Sequence, residues 1–105
     1  MKLPEGKKCY NAGKISGLST FGAAAKFAKF DKIIADQMGM IPINPMVHGL
    51  SWNKPWLFHI IYDLSLLLRC DTVLFQPDWV DSRGARIENF VAKLFMKEVY
   101  YFNPE

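Results

Sequence analysis

Residues 82 to 88, S-R-G-A-R-I-E, carry side chains that can do chemistry at helical spacing. If a helix begins near Ser82, Glu88 lies in its second turn, and Gly84 lies one turn earlier on about the same side. A glycine there leaves space for a ligand in front of the carboxylate, and Ser82 with the first backbone N–H groups would form an anion site. Spacing alone favours the simpler interpretation, in which Ser82 caps the helix and Glu88 is exposed to solvent.

A second candidate carboxylate, Asp63, lies in the middle of a predicted helix, with His59 one turn before it. In a functional interpretation, Asp63 stands over the same site and acts on a sugar hydroxyl or on a leaving base. A His–Asp pair at this spacing on a solvent-facing side is more often without function, since it contributes only a few tenths of a kcal/mol.

The segment K-I-S-G, residues 14 to 17, follows the first predicted strand and could contact a phosphate. Gly13 and Gly17 allow the backbone to approach a ligand closely, and Lys14 and Ser16 offer polar groups. The segment matches neither the G-x-x-x-x-G-K-[ST] phosphate loop nor the G-x-G-x-x-G dinucleotide fingerprint, so its signal is weak.

Other polar and aromatic residues receive no specific role from the sequence. Trp52, Trp56 and Trp79 could stack on a nucleobase, although packing is the better default for each. Asp81 and Arg83 are interpreted as surface residues.

Length and composition limit the class of protein. The 105 residues allow one domain, 1–105, with a thin core, so self-association would bury useful surface. A net charge of +3 lacks the dense basic stripe of a nucleic-acid binder. The first residues do not resemble a secretory signal, and no run approaches the roughly 18 apolar residues that span a bilayer. Cys9 and Cys70 have no metal-ligand spacing, so we expect no metal, no cofactor and a reduced cytoplasmic setting.

Strand and helix signals alternate along the chain. The predicted strands are 8–13, 40–44, 71–76 and 98–102, and the predicted helices are 20–38, 55–69 and 82–96. Between the second strand and the second helix, residues 45–53 are predicted to form a loop. This order predicts an α/β fold with a small, open, Rossmann-like (flavodoxin-like) sheet of about four to five mainly parallel strands. Ligands bind such sheets beyond the carboxyl ends of the strands, so K-I-S-G and residues 77–88 should meet there.

Hydrophobic spacing predicts which side of each helix is buried. The expected buried residues are Ala23, Phe27, Phe30, Ile34 and Met38 in the first helix, Leu57, Ile60, Ile61, Leu64 and Leu68 in the second, and Ile87, Val91, Leu94 and Phe95 in the third.

Several of these segments, taken in order, resemble one family. They are Y-N-A-G-K-I-S-G (10–17), I-N-P (43–45), W-x6-D-L (56–64), C-D (70–71) and S-R-G-A-R-I-E (82–88). The series resembles the short bacterial and phage proteins of the uncharacterised DUF4406 family. That family is similar to the nucleoside 2-deoxyribosyltransferase superfamily, which includes the nucleoside 5′-monophosphate N-glycosidases.

The resemblance implies roles for individual residues. Glu88 matches the superfamily's catalytic Glu, which forms a glycosyl-enzyme intermediate, and Asp63 matches an Asp that assists departure of the base. Tyr10 matches a Tyr that lines the pocket at the end of the first strand. Ser82 matches the phosphate-binding Ser of the monophosphate N-glycosidases, which implies a 5′-nucleotide as substrate. Lys14 departs from the usual Pro or Ser.

The resemblance implies a nucleoside or nucleotide as the small-molecule partner, and hydrolysis or transfer at its N-glycosidic bond. A homodimer or a higher homo-oligomer would close the pocket, since the chain ends soon after the last strand. Two alternatives remain open. One is a non-catalytic nucleotide-binding module, and the other is a small phage-type interaction protein that uses the aromatic segment H-G-L-S-W-N-K-P-W as its contact surface.

Overall fold

Four parallel strands form the centre of the protein. The computed structural model of the chain describes residues 7–15, 17–48 and 55–102. The strands are β1 (Lys8–Ala12), β2 (Ile41–Ile43), β3 (Thr72–Phe75) and β4 (Glu98–Tyr101), and their order in the sheet is β2-β1-β3-β4. All three neighbouring pairs are parallel, with Tyr10 beside Val73 and Val73 beside Val99. The predicted open parallel sheet is therefore confirmed.

Helices cover both faces of this sheet. They are α1 (Thr20–Gln37), α2 (Pro45–His48), α3 (Trp56–Leu68) and α4 (Arg83–Leu94), with a short 3₁₀ turn at Trp79–Asp81 before α4. On one face, α1 packs Phe30 and Ile34 against Cys9 and Leu74. On the other face, a larger cluster joins the sheet to α3 and α4; it contains Tyr10, Ala12, Leu66, Leu67, Cys70, Val73, Phe75 and Ala92. The result is three layers, with β3 buried at every residue.

Helix α1 follows its sequence pattern closely. The Ser19 hydroxyl accepts the N–H of Gly22 at 3.0 Å, so Ser19 is the N-cap. Gly39 adopts φ 66° just beyond the helix, which is the left-handed conformation that a glycine accepts without strain. The predicted inner side is confirmed, because the four residues Ala23, Phe27, Phe30 and Ile34 are buried and Met38 packs at the edge of the same cluster.

The prediction for α3 was wrong at three residues. Leu57, Ile61 and Leu68 are 60%, 56% and 38% exposed, whereas Ile60 and Leu67 are buried. Apolar residues occur on nearly all sides of this helix, so hydrophobicity did not identify the inner side. The inner side also carries Asp63, which lines a cavity described below, and the apolar residues opposite it face solvent.

The prediction for α4 was wrong at Leu94 and Phe95 for a related reason. Both are more than half exposed and Ile87 is only partly buried, whereas Val91 packs against the cluster on this face as predicted. The inner side of α4 consists instead of Ala85, Glu88, Asn89 and Ala92. The two alanines let the helix lie close to the sheet, and the two polar side chains between them are thereby buried. A hydrophobic pattern cannot locate a side that carries buried polar groups.

The predicted loop after β2 begins with the short helix α2. Pro45 occupies its first position, where a missing N–H costs nothing. The side-chain oxygen of Asn44 accepts the N–H of Met46 at 2.7 Å and so starts the turn. The rest of this loop, with Trp52 and most of the aromatic segment considered as a contact surface, falls within residues 49–54, which lie outside the described residues.

A buried polar network joins the ends of three strands on the α1 side of the sheet. The Asn11 amide donates to Asp31 at 2.9 Å, and the Asn44 amide donates to the other carboxylate oxygen of Asp31, also at 2.9 Å. The Gln76 amide donates to the side-chain oxygen of Asn11 at 2.6 Å. Because Asn11 lies near the end of β1 while Asn44 and Gln76 follow β2 and β3, the network aligns the carboxyl ends of these strands.

Candidate functional site

A cavity of about 260 Å³ opens at the carboxyl edge of the sheet, bordered by the end of β1, by α3 and by α4. Five residues that the sequence singled out line it: Gly13, Asp63, Ser82, Gly84 and Glu88. The position agrees with the rule that open parallel sheets bind ligands beyond the carboxyl ends of their strands, where neighbouring crossovers diverge.

Glu88 is held in the wall of this cavity by Tyr10. The carboxylate is only 4% exposed, and its oxygen Oε2 accepts the Tyr10 hydroxyl at 2.5 Å. Tyr10 is fully buried beneath Glu88 and is not one of the lining residues, so it contacts the carboxylate rather than the cavity. Since Oε2 is engaged by the phenol, Oε1 is the oxygen available to a ligand.

Burial changes the charge states of both carboxyl groups. Loss of solvent raises the pKa of Glu88 from its ordinary value of 4.5 to about 8. The hydrogen bond from Tyr10 lowers the pKa, but by less than burial raises it. The negative charge of Asp63 raises the pKa of Glu88 further. Loss of solvent likewise raises the pKa of Asp63 from 3.8 to about 7. The cavity therefore contains two carboxyl groups that exchange protons near neutral pH, which is a property of acid–base sites.

Ser82 and Gly84 form the part of the wall at the start of α4. The Ser82 hydroxyl accepts the N–H of Ala85 at 3.1 Å, which makes it the N-cap, as the simpler interpretation of the sequence predicted. It lines the cavity as well, so capping and ligand contact do not exclude each other. The first N–H groups of a helix lack intrahelical acceptors and attract anions. Gly84 leaves this end of the cavity open.

The β1–α1 loop meets the segment after β3, as expected. The backbone N–H of Lys14 donates to Asp78 at 3.2 Å, and Lys26 of α1 bridges the Lys14 carbonyl and the Asp78 carboxylate at 2.6 and 2.5 Å. Gly17 adopts φ 85° but does not line the cavity. Ser16 lies outside the described residues.

Gly13 lies against the buried side chain of Gln76, and this contact leaves no space for a side chain on residue 13. A Cβ atom on residue 13 would lie 2.5 Å from Cδ of Gln76. The close approach lets the backbone of Gly13 form part of the cavity wall.

Sequence reasoning missed most of the apolar wall. Ile15, Pro45, Trp56 and Ile60 line the cavity, and His59 lies beside them. Trp56 had been assigned to packing by default, although its place directly after Pro55, at the first position of a helix that begins near the sheet edge, was a usable signal. Trp79 does pack as expected, with its ring centre 5.4 Å from those of both Phe75 and Tyr101.

A second cavity, of about 400 Å³, adjoins the first and shares Trp56, Ser82 and Gly84 with it. Its other lining residues are Lys14, Asp81, Arg83 and Arg86. The Arg83 guanidinium lies 4.4 Å from the centre of the Trp56 ring, in a cation–π contact. Asp81 and Arg83 thus border a cavity, although the sequence suggested only surface positions for them, and Arg86 carried no signal.

Neither a metal cluster nor a membrane span emerges from the described part of the chain. Within residues 7–15, 17–48 and 55–102, three or more His, Cys, Asp or Glu side chains never gather as metal ligands would. No helix there is both long and apolar enough to cross a bilayer.

The sequence places this architecture in a family. No curated protein matches the chain. The profile of the family described as "Domain of unknown function (DUF4406)" matches residues 7–101, which include every strand and helix described above and both cavities. The chain therefore belongs to the DUF4406 family.

Proposed function

We propose that this protein cleaves the N-glycosidic bond of a nucleoside 5′-monophosphate or a nucleoside and passes the sugar to water or to an acceptor base. The proposal relates the chain to the nucleoside 2-deoxyribosyltransferase-like enzymes and their monophosphate N-glycosidases. One observation carries it. Glu88 and Asp63, on different helices, line the same small cavity, and a buried phenol fixes the orientation of Glu88.

The first chemical step uses both carboxyl groups. Ionised Glu88 attacks C1′ of the sugar through Oε1, the C1′–N bond breaks, and its electron pair leaves with the base. Protonated Asp63 gives its proton to the base. In the second step, water or an acceptor base attacks C1′, Asp63 takes the proton, and the C1′–O bond to Glu88 breaks.

The remaining wall suits the other parts of a nucleotide. The Ser82 hydroxyl can donate to a 5′-phosphate while its oxygen caps α4, and the helix N-terminus favours the same negative charge. Trp56 and Ile60 provide an apolar surface for the base.

A second function, a non-catalytic nucleotide-binding module, is favoured by one observation. Burial raises the pKa of Glu88 to about 8, so its carboxyl group is mostly protonated at neutral pH. A protonated carboxyl donates a hydrogen bond to a ligand but does not attack a sugar.

The outer sides of α3 and α4 support association of two copies. Phe58 and Ile61 on α3, and Phe90 and Leu94 on α4, are each more than half exposed. Asp63 is the one Asp, Glu, Lys or Arg residue of α3, and it lies at the cavity on the inner side. A two-fold interface sets one patch against its own copy, so the outer side of α3 would pair with its copy without charge repulsion. Because Trp56 borders both cavities and also begins α3, this dimer would lie beside the cavity mouths.

The test is a panel of ribo- and deoxyribonucleosides and their 5′-monophosphates, incubated with the protein and analysed for free base by chromatography. We expect base release from at least one 5′-monophosphate, and a loss of about 1,000-fold or more in Glu88→Gln, since removal of the nucleophile leaves only binding. The matched control is Glu98→Gln, at the opposite, amino-terminal end of the sheet. Its rate should equal that of the unaltered protein.

Each alternative has its own outcome. If no base appears but a nucleotide raises the melting temperature, the binding module is correct. If neither happens, the protein does not act on nucleotides, and a role in contacts with another protein becomes the leading hypothesis.

A further inference from the structure

We infer that the second cavity binds the second phosphoryl group of a nucleoside 5′-diphosphate unit. The inference rests on the proposed function in one respect, because it places the first phosphate at Ser82 in the cavity that holds Glu88. The ligand class is therefore a nucleoside 5′-pyrophosphate, either a free nucleoside diphosphate or a dinucleotide joined through a pyrophosphate.

The charge of the second cavity is the first argument. Lys14, Arg83 and Arg86 line it, and Asp81 is the acidic side chain among the residues that do so. No ion pair within the described ranges joins Asp81 or any other acidic side chain to these three cations. Cations that face a concave space without a fixed counter-charge are suited to an anionic ligand.

The position of the cavity is the second argument. Ser82 and Gly84 line both cavities and so form a wall between them. A 5′-phosphate bound at this wall would have its sugar in the first cavity. The phosphate oxygen farthest from the sugar would then face the second cavity. A 5′-monophosphate would leave the second cavity empty. A β-phosphate reaches into it, towards Lys14 on the β1–α1 loop and Arg86 on α4.

Contacts hold parts of two of these cationic residues in place. The Arg83 guanidinium lies 4.4 Å from the centre of the Trp56 ring, in a cation–π contact. The backbone of Lys14 is held by Asp78 and Lys26 on both sides of the residue. A side chain that is already held in place, as Arg83 is, loses less conformational entropy when a diphosphate binds.

The experiment measures binding, separately from catalysis. Calorimetric titration of Glu88→Gln with the 5′-mono- and 5′-diphosphates of adenosine, guanosine, cytidine and uridine, in EDTA, gives the affinity ratio of diphosphate to monophosphate for each base. We expect a ratio of about ten or more for at least one base, since a single added charged contact corresponds to about one factor of ten. Adding Arg86→Gln or Lys14→Gln should lower that ratio several-fold. The control, Arg69→Gln, lies at the far end of α3, about 20 Å along the helix from Trp56, and should not change it.

The outcomes separate this inference from the proposed function. A preference for diphosphates that depends on Arg86 supports the inference even if no base is released by the unaltered protein. A ratio of one or less for all four bases overturns it, and so does an equal loss in Arg86→Gln and Arg69→Gln. Titration with NAD then distinguishes the two sources. Equal affinity for NAD and the best diphosphate indicates a dinucleotide ligand, and weaker affinity for NAD indicates a free diphosphate.

Discussion

The hydroxyl of Tyr10 lies 2.5 Å from Oε2 of Glu88, although 78 residues separate the two in the sequence. The bond joins the central sheet to α4, and it stabilises the charged form of a carboxylate that burial otherwise destabilises. Tyr10 itself remains a donor, because its burial, together with the nearby Glu88 charge, raises its own pKa well above 10. It is a positioning residue for Glu88, and its effect should be visible in the pH dependence of the reaction.

The Tyr10→Phe variant tests that role. The reaction requires ionised Glu88 and protonated Asp63 together, so kcat/KM should follow a bell-shaped pH profile with its maximum between about pH 7 and pH 8. Loss of the hydrogen bond raises the pKa of Glu88 by roughly 1 to 2 units, since such a bond to a charged group contributes about 1.5–3 kcal/mol. The maximum of kcat/KM should therefore fall, and the high-pH limb of its profile should move to higher pH by about that amount. Tyr100→Phe, on strand β4, is the control, and an unmoved high-pH limb in Tyr10→Phe would show that the bond is only structural.

The stability of the protein should fall as the pH rises. Both carboxyl groups have folded-state pKa values above their ordinary ones, near 8 for Glu88 and near 7 for Asp63. Between about pH 4 and pH 8 the unfolded chain has lost these protons while the folded chain keeps them, so the free energy of unfolding decreases across this window. Below it both states are protonated and the stability is fully present.

Thermal unfolding at pH 5 and pH 8.5 measures this effect. We expect the melting temperature to be several degrees lower at pH 8.5, and the difference to shrink in Glu88→Gln, where no proton is exchanged. Asp36→Asn, an exposed carboxylate of α1, should keep the full difference. A difference of equal size in Glu88→Gln and the unaltered protein would contradict the buried, proton-retaining Glu88.

Replacing either of two glycines in the cavity wall by alanine should change the stability of the protein, in opposite directions for the two positions. A Cβ on residue 84 would lie 3.4 Å from Cδ1 of Ile60, which the protein can accommodate, and alanine is preferred to glycine in a helix by up to about 1 kcal/mol. Gly84→Ala should therefore keep or raise the melting temperature. Its methyl group occupies space in both cavities, so nucleotide affinity should fall about tenfold or more, a loss that titration calorimetry measures.

Gly13→Ala should instead reduce stability. Its Cβ would lie 2.5 Å from Cδ of Gln76, and relief requires this fully buried side chain to move away from its hydrogen bond with Asn11. Overpacking of this kind costs about 1–3 kcal/mol, which denaturant unfolding resolves. Equal stability of the two alanine variants would mean that the Gln76 amide moves aside freely.

Charged substitutions on the outer sides of α3 and α4 test the association of two copies. Ile61→Lys, alone or with Leu94→Lys, sets like charges against each other in a two-fold interface, so sedimentation velocity should show a dimer becoming a monomer. Phe21→Lys changes an apolar residue that is 85% exposed on α1, on the opposite face of the sheet, and should leave the dimer intact. A monomeric unaltered protein at all concentrations would remove this proposal.

The sequence allowed the sheet and α1 to be predicted because both follow simple rules. β3 has no polar alternation and is buried on both faces, and the four inner residues of α1 recur at helical spacing. The same rules failed for α3 and α4. Helix α3 is apolar on nearly every side, and the buried side of α4 carries Glu88 and Asn89. Residue type therefore did not indicate which side of either helix faces the sheet.

Glu88, Asp63 and Ser82 could be proposed as site residues from family resemblance, with helical spacing as weaker support. The role of Arg86 could not be proposed from the sequence, because the function of an exposed arginine depends on which residues surround it in the fold. Lys14 lies in the β1–α1 loop and Arg86 lies in α4, far apart in the sequence, and only the fold brings the two side chains to one cavity.

The polar network of Asn11, Asp31, Asn44 and Gln76 has a consequence for the alignment of the strands. A strand that slips by two residues keeps the same side chains on each face of a sheet, so hydrophobic burial alone does not prevent such a shift. Moving β1 by two residues would take Asn11 away from both Asp31 and Gln76 and leave buried polar groups without partners. The side chains on the α1 face thus fix the register of the strand that leads into Gly13, and with it the shape of the cavity on the opposite face.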